Sequence, residues 1–223
     1  MNPITVSCRE KVVASIRAHR LVAILRGVAP EKLLPLSEAL YDGGVRLLEI
    51  TFSADGSRPD TAVGADIARV RGHFGDRMLV GAGTVLTAGQ AQVAKDAGAA
   101  FLLAPDISAE VAAAARAQNL CYIPGALTPT EIRTAQKLGA DIVKLFPAAN
   151  LGAAYVKAVR APLSGVPLMA VGGIDLTNMR DYLSAGVMSF GIGSSLTPKA
   201  AIAAGDWDAV RTLAQAYVKE VQA

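Results

Sequence analysis

The chain has 223 residues, 52% hydrophobic, 18% charged and only 5% aromatic, with a net charge of +3. Acids and bases are interspersed and aromatics are sparse, so there is neither the basic tract nor the stacking platform that nucleic acid requires. Met1 to Lys11 lacks an apolar signal region, no run of about 18 apolar residues could span a membrane, and Cys8 and Cys121 stand in no metal or redox spacing. The expectation is a cytoplasmic protein with free thiols, no metal, no cofactor, and no membrane or nucleic-acid partner.

In chain order, Ser7 to His19 reads as a lead-in helix, with Ser7 as a cap and Val12, Val13 and Ile16 on its apolar side. Leu21–Arg26 is the first strand, and Pro30 opens a helix to about Tyr41 that Gly43-Gly44 closes. Val45–Thr51 is the second strand. A polar stretch, Ser53 to Asp60, leads to a helix ending near Gly72 and a third strand, Met78–Ala82.

A helix from Ala88 to Ala97 precedes strand four, Ala100–Leu103, and a helix from Ser108 to Gln118 precedes strand five, Leu120–Ile123. Thr128-Pro129-Thr130-Glu131 is a capping box, with proline at the first helical position, for a helix that ends before Gly139. Ala140 to Pro147 is strand six. A helix from Ala153 to Val159, strand seven (Pro167–Val171), a helix from Asp175 to Ala185, strand eight (Met188–Ile192) and a terminal helix from Asp206 to Val221 complete the series.

Eight near-continuous apolar strands alternating with helices imply parallel pairing, and in a chain of this length they close most simply into one (β/α)8 barrel with an extra N-terminal helix, spanning residues 1–223 as a single domain. A doubly wound open sheet is the alternative. Barrel active sites lie at the carboxyl ends of the strands, and the candidate residues falling there are Arg26, Glu49, Thr51, Thr84, Pro105, Lys144 and Phe146. Period-two alternation puts Val22, Ile24 and Arg26 on one face, Leu47, Glu49 and Thr51 on another, and Ile142, Lys144 and Phe146 on a third.

Lys144 is the anomaly. A lysine within a buried strand either snorkels to solvent, pairs with a carboxylate, or loses hydration, and loss of hydration lowers its pKa and frees a nucleophilic amine near neutral pH. Val171-Gly172-Gly173 and Gly191-Ile192-Gly193-Ser194 place glycines in the loops after the last two strands, where barrels hold phosphate through backbone N–H groups. His19 and His73 fall at helix ends in no ligand spacing, which speaks against a metal-dependent phosphosugar isomerase or epimerase on the same barrel.

Ala23-Ile24-Leu25-Arg26-Gly27, Leu48-Glu49-Ile50-Thr51-Phe52, Gly81-Ala82-Gly83-Thr84-Val85, Ile123-Pro124-Gly125, Lys144-Leu145-Phe146-Pro147-Ala148 and the two glycine loops together resemble the KDPG aldolase family, in order and over nearly the whole chain. That resemblance implies a class I aldolase that cleaves a 2-keto-3-deoxy-6-phospho sugar acid of gluconate or galactonate type to pyruvate and glyceraldehyde 3-phosphate, or, in its relatives, 4-hydroxy-2-oxoglutarate to pyruvate and glyoxylate. It makes Lys144 the Schiff-base lysine and Glu49 the general acid/base. Thr84, Pro105 and Phe146 would line the pyruvate site, and Gly172, Gly173 and Ser194 the phosphate cradle. Family members are typically homotrimeric barrels that need no metal.

The chain departs from the gluconate type at Ser53, where many members carry a carboxylate-binding arginine two residues after the threonine of Glu-x-Thr. Arg26 could clamp the carboxylate instead, as in galactonate-type relatives. Val171 is also the galactonate-type residue where gluconate types have threonine, whereas Glu49-Ile50-Thr51-Phe52 resembles gluconate types. The resemblance assigns no role to the Ser53–Pro59 stretch.

Overall fold

The structure, a computed structural model, describes residues 8–222. Nine strand segments, all parallel, run in the order β5-β4-β3-β2-β1-β9-β8-β7-β6. They are β1 (Leu21–Leu25), β2 (Leu47–Thr51), β3 (Leu79–Gly83), β4 (Phe101–Leu103), β5 (Cys121–Ile123), β6 (Gly125–Ala126), β7 (Val143–Leu145), β8 (Leu168–Val171) and β9 (Ser189–Ile192). The ends of that series, β5 and β6, are consecutive pieces of one stave broken at Pro124, which has no N–H to give to a ladder. The stave still closes the ring: Asp141 and Lys144 donate from their backbone N–H to the carbonyls of Tyr122 and Pro124. The expected fifth strand, Leu120–Ile123, is β5, the stave continues past Pro124 as β6, and the architecture is the expected α/β barrel.

Ten helices surround the strands: α1 (Cys8–His19), α2 (Pro30–Asp42), α3 (Asp60–Phe74), α4 (Ala88–Asp96), α5 (Ala109–Ala117), α6 (Pro129–Lys137), α7 (Gly152–Arg160), α8 (Met179–Ser184), α9 (Lys199–Ala204) and α10 (Trp207–Gln222). The expected cap Ser7 lies outside the described residues. The α6 capping box is formed as read: Thr128 accepts from the Glu131 backbone N–H, and the Glu131 carboxylate accepts from that of Thr128.

Two helices differ from the sequence reading. The segment from Asp175 begins as a turn, because Asp175 accepts from the Thr177 backbone and hydroxyl while Asn178 accepts from the Asp175 N–H, so α8 starts only at Met179. Helix α9 is absent from the sequence reading, although Pro198 before it and Gly205 in the left-handed conformation after it mark its ends.

Alternation sorts the side chains into two cores. Leu48, Ile50, Val80, Ala82, Leu102 and their equivalents face the helices. Val22, Ile24, Leu47, Phe101, Leu103, Ile123, Ile142 and Met169 fill the barrel interior, closed from below by Val12 and Ile16 of α1. Helix α1 is fastened there by Arg9, whose Nε reaches Asp141 Oδ1 at 2.5 Å and whose Nη2 reaches the Gly139 carbonyl at 2.6 Å. A hollow of about 730 Å³ opens at this lower end, with the Arg9–Asp141 ion pair on its wall.

Candidate active site

Glu49 and Lys144 stand at the top of the interior core, and both point inward. Their exposures are 1% and 4%. In register, Glu49 lies beside Ile24 of β1 and Gly81 of β3, and Lys144 beside Gly125 of β6 and Met169 of β8. Strand β3 makes room by carrying glycine on its inner face. The Phe101 ring occupies the place a side chain at position 81 would take, and the Glu49 carboxylate the place of one at position 83.

Burial holds the Lys144 ammonium below the ordinary lysine pKa, the Glu49 charge opposes that shift, and Arg26 reinforces it. For Glu49, burial raises the carboxyl pKa, while the Lys144 and Arg26 charges pull it back. Each group thus destabilises its own charged form through loss of water and stabilises that of the other through proximity. Glu49 Oε2 is buried without a hydrogen-bond partner, an uncommon state for a carboxylate outside a site of chemistry.

Phe146, just past the end of β7, lays its ring 4.7 Å from Lys144 Nζ and is itself 36% exposed, so it roofs the amine on the solvent side. Arg26 follows β1 and donates from Nη2 to Thr84 Oγ1 at 3.3 Å. Thr84 is buried and holds a positive φ of 57°. Thr51, above Glu49 on β2, donates its hydroxyl to the Leu25 carbonyl at 3.4 Å.

Above this floor a cleft of about 750 Å³ is walled by Arg26, Phe146, Val171, Gly172, Gly173, Gly193 and Ser194. Gly172 and Gly173, at φ of 91° and 72°, turn the backbone sharply across the carboxyl end of β8, a path costly for residues with a Cβ. Pro105 lines a separate hollow of about 380 Å³ that shares only Phe146 with the main cleft. The structure thus gathers Arg26, Glu49, Thr84, Lys144, Phe146, Val171 and both glycine loops at one end of the barrel, with Pro105 across the Phe146 ring.

The cleft also reaches residues the sequence reading did not single out: Val28 and Lys32 near the start of α2, Thr197, and Lys199 on α9. Pro30 and Pro198, each just before or at a helix start, were the available signals. Among the described residues no group of three or more His, Cys, Asp or Glu assembles a metal site. No helix there is long and apolar enough to cross a membrane. Cys121 is a free thiol buried in the barrel, and burial raises its pKa, so it is an inert filler.

A parallel α/β barrel with a desolvated amine and a carboxylate buried beneath a cleft, on the carboxyl side of its strands, has the architecture of a carbon–carbon lyase. The comparisons agree: residues 12–213 match the family described as KDPG and KHG aldolase, and the chain belongs to that family. It is 38% identical to the 2-dehydro-3-deoxy-phosphogluconate aldolase of Treponema pallidum (strain Nichols), over 92% of this chain and 94% of that one. It is also 38% identical to the probable 2-dehydro-3-deoxy-6-phosphogalactonate aldolase of Rhizobium meliloti (strain 1021), over 83% and 85%. Among solved structures, the KDPG aldolase of Legionella pneumophila, with pyruvate captured at low pH as a covalent carbinolamine intermediate, superposes with a TM-score of 0.82. It is 30% identical, covering 92% of this chain and 96% of that one.

Proposed function

We propose that this chain is a class I aldolase that reversibly cleaves a 2-keto-3-deoxy-6-phospho sugar acid, of gluconate or galactonate type, to pyruvate and D-glyceraldehyde 3-phosphate. The observation that carries the reading is Lys144, buried at the carboxyl end of a barrel strand, with its pKa pulled down by burial beside a carboxylate. Its neutral amine attacks the 2-keto carbon, and loss of water leaves a protonated imine. Glu49 takes the proton of the 4-hydroxyl as the C3–C4 bond breaks. The bonding pair moves into the iminium, giving the aldehyde and an enamine of pyruvate. Reprotonation at C3 and hydrolysis then return the lysine.

Arg26, braced on Thr84, holds the substrate carboxylate bidentately. Phe146 and Pro105 shape the pyruvate end, with Thr51 beside Glu49. Gly172, Gly173, Gly193 and Ser194 offer backbone N–H groups and a hydroxyl to the phosphate, and Val171 borders the reacting carbons. Val171 leans toward the galactonate type and Glu49-Ile50-Thr51-Phe52 toward the gluconate type, and one relative of each type is 38% identical, so both epimers remain candidates.

The same reading makes the protein a cytoplasmic homotrimer. The large apolar side chains of Leu151 and Leu176, exposed on the loops after β7 and β8, support a surface between copies. Light scattering should return three chain masses, and one mass in solution counts against the trimer.

Incubation with pyruvate and borohydride should add the mass of a reduced pyruvyl group to the peptide carrying Lys144, and none to Lys144→Met. Wild-type protein that gains no mass overturns the proposal. Parallel rates on the gluconate-type, galactonate-type and unphosphorylated 4-hydroxy-2-oxoglutarate substrates assign the specificity.

A further inference from the structure

Gln90 lies outside both clefts, yet it is 8% exposed and its side chain is bonded at both ends. Its Oε1 accepts from the Leu86 backbone N–H at 2.8 Å, and its Nε2 donates to Asp60 Oδ1, at the start of α3, at 3.2 Å. Its own backbone N–H is held by Thr87 Oγ1 at 3.1 Å. A buried amide with this many partners fixes the turn that Leu86 belongs to.

That turn begins at Thr84, a β-branched residue at φ 57°, a conformation such residues keep only when their surroundings over-determine it. Upstream, the Gly83 carbonyl accepts from the Phe52 N–H at 2.8 Å, and downstream the Val85 N–H donates to the Leu103 carbonyl at 3.1 Å. Gln90 is the side chain that ties the Leu86 N–H in this turn to Asp60. Two site groups depend on where the segment sits: the Glu49 carboxylate packs on Gly83, and Arg26 Nη2 donates to Thr84 Oγ1.

We propose that Gln90 is a positioning residue for the reaction: by tying Leu86 to Asp60 it holds Thr84 in its left-handed conformation, and through Thr84 it aims the Arg26 guanidinium at the substrate's carboxylate. This rests on the reading of the cleft given under the proposed function. Gln90 touches neither substrate nor the reacting atoms. Its loss lets Thr84 relax and Arg26 swing, which weakens the grip on the keto-acid end more than it slows chemistry at Lys144.

The test compares Gln90→Met, Thr84→Ala and their double variant in cleavage and in borohydride trapping with pyruvate. For Gln90→Met the pyruvate concentration giving half-maximal trapping should rise about 10-fold, with the limiting trapping rate within about 3-fold of wild type, as expected when orientation and not the nucleophile is lost. The double variant should be no worse than Thr84→Ala alone, because both substitutions act through one group. Gln90→Glu combined with Asp60→Asn exchanges donor and acceptor while keeping an oxygen for the Leu86 N–H, and should restore most of the affinity. It also serves if Gln90→Met does not fold, since failure to restore affinity in that folded pair overturns the assignment. Wild-type affinity in Gln90→Met beside an impaired Thr84→Ala overturns the positioning role alone. Additive losses in the double variant do the same. Unimpaired affinity in both single variants overturns it together with the reading of the cleft.

Discussion

Replacing Lys144 with methionine and Glu49 with leucine removes two charges from a barrel interior that leaves them 4% and 1% exposed. Burial works against the charged form of each, and Glu49 Oε2 has no hydrogen bond to offset it. Exchanging two buried, mutually attracting charges for apolar groups of similar volume is often neutral or stabilising, by up to about 4 kcal/mol. In a chain of this size each kcal/mol moves Tm by roughly 2–4 °C. The double variant should therefore melt higher than wild type while showing no cleavage in an assay that couples pyruvate to a dehydrogenase.

Lys144→Met alone should behave differently, because it leaves the buried carboxylate with only the Arg26 charge to offset its burial and costs about 3–5 kcal/mol at pH 7–8. Loss of the lysine charge, which holds the Glu49 pKa down, lets that pKa climb further above the ordinary 4.5. A group whose folded pKa is raised gives full stability below its unfolded value and loses it as pH rises through the folded one. The Tm deficit of Lys144→Met should accordingly be smallest near pH 4.5 and grow toward pH 8. A double variant that melts at or below wild type, or a single-variant deficit flat across that range, would refute the claim that the site is built at the expense of stability.

Three further outcomes follow from the geometry. Gly83→Ala puts a methyl where the Glu49 carboxylate sits, so cleavage should fall about 100-fold and stability by about 1–3 kcal/mol; kinetics and melts near wild type would show that Glu49 has room to move. Arg26→Met should raise KM about 10-fold or more. Because the Arg26 charge lowers the Lys144 pKa, its removal should also shift the acid limb of the kcat/KM profile to higher pH, and a limb that stays in place or moves down is the contrary result. Arg9→Ala removes the guanidinium from Asp141, leaving it the Tyr122 N–H and the Cys121 thiol, and should lower stability by about 1–3 kcal/mol while sparing kcat, as melts and steady-state rates will report.

The order of strands and helices was legible because it rests on local signals: alternation in Leu47–Thr51, the Thr128–Glu131 capping box, and glycines after helices. Alternation puts Glu49 and Lys144 each on one face of its strand, so they meet in one cavity provided those faces turn inward. Local pattern failed where side chains redirected the backbone, as at Asp175–Asn178, or where one residue broke a stave, as at Pro124.

Sequence alone determined the alternation of strands and helices expected of a barrel, a lysine and a carboxylate near strand ends, and the glycine loops, since each depends on residue type and a spacing of a few positions; that the lysine and carboxylate turn inward was decided by the fold. Tertiary structure alone decided that Phe146 roofs the amine, that Arg26 leans on Thr84, that Gly83 yields its space to Glu49, and that α9 walls the cleft. All of these relations but the Phe146–Lys144 contact join residues tens of positions apart. Only closing the ring of staves brings them into contact and removes the water that would otherwise keep Lys144 and Glu49 ordinary.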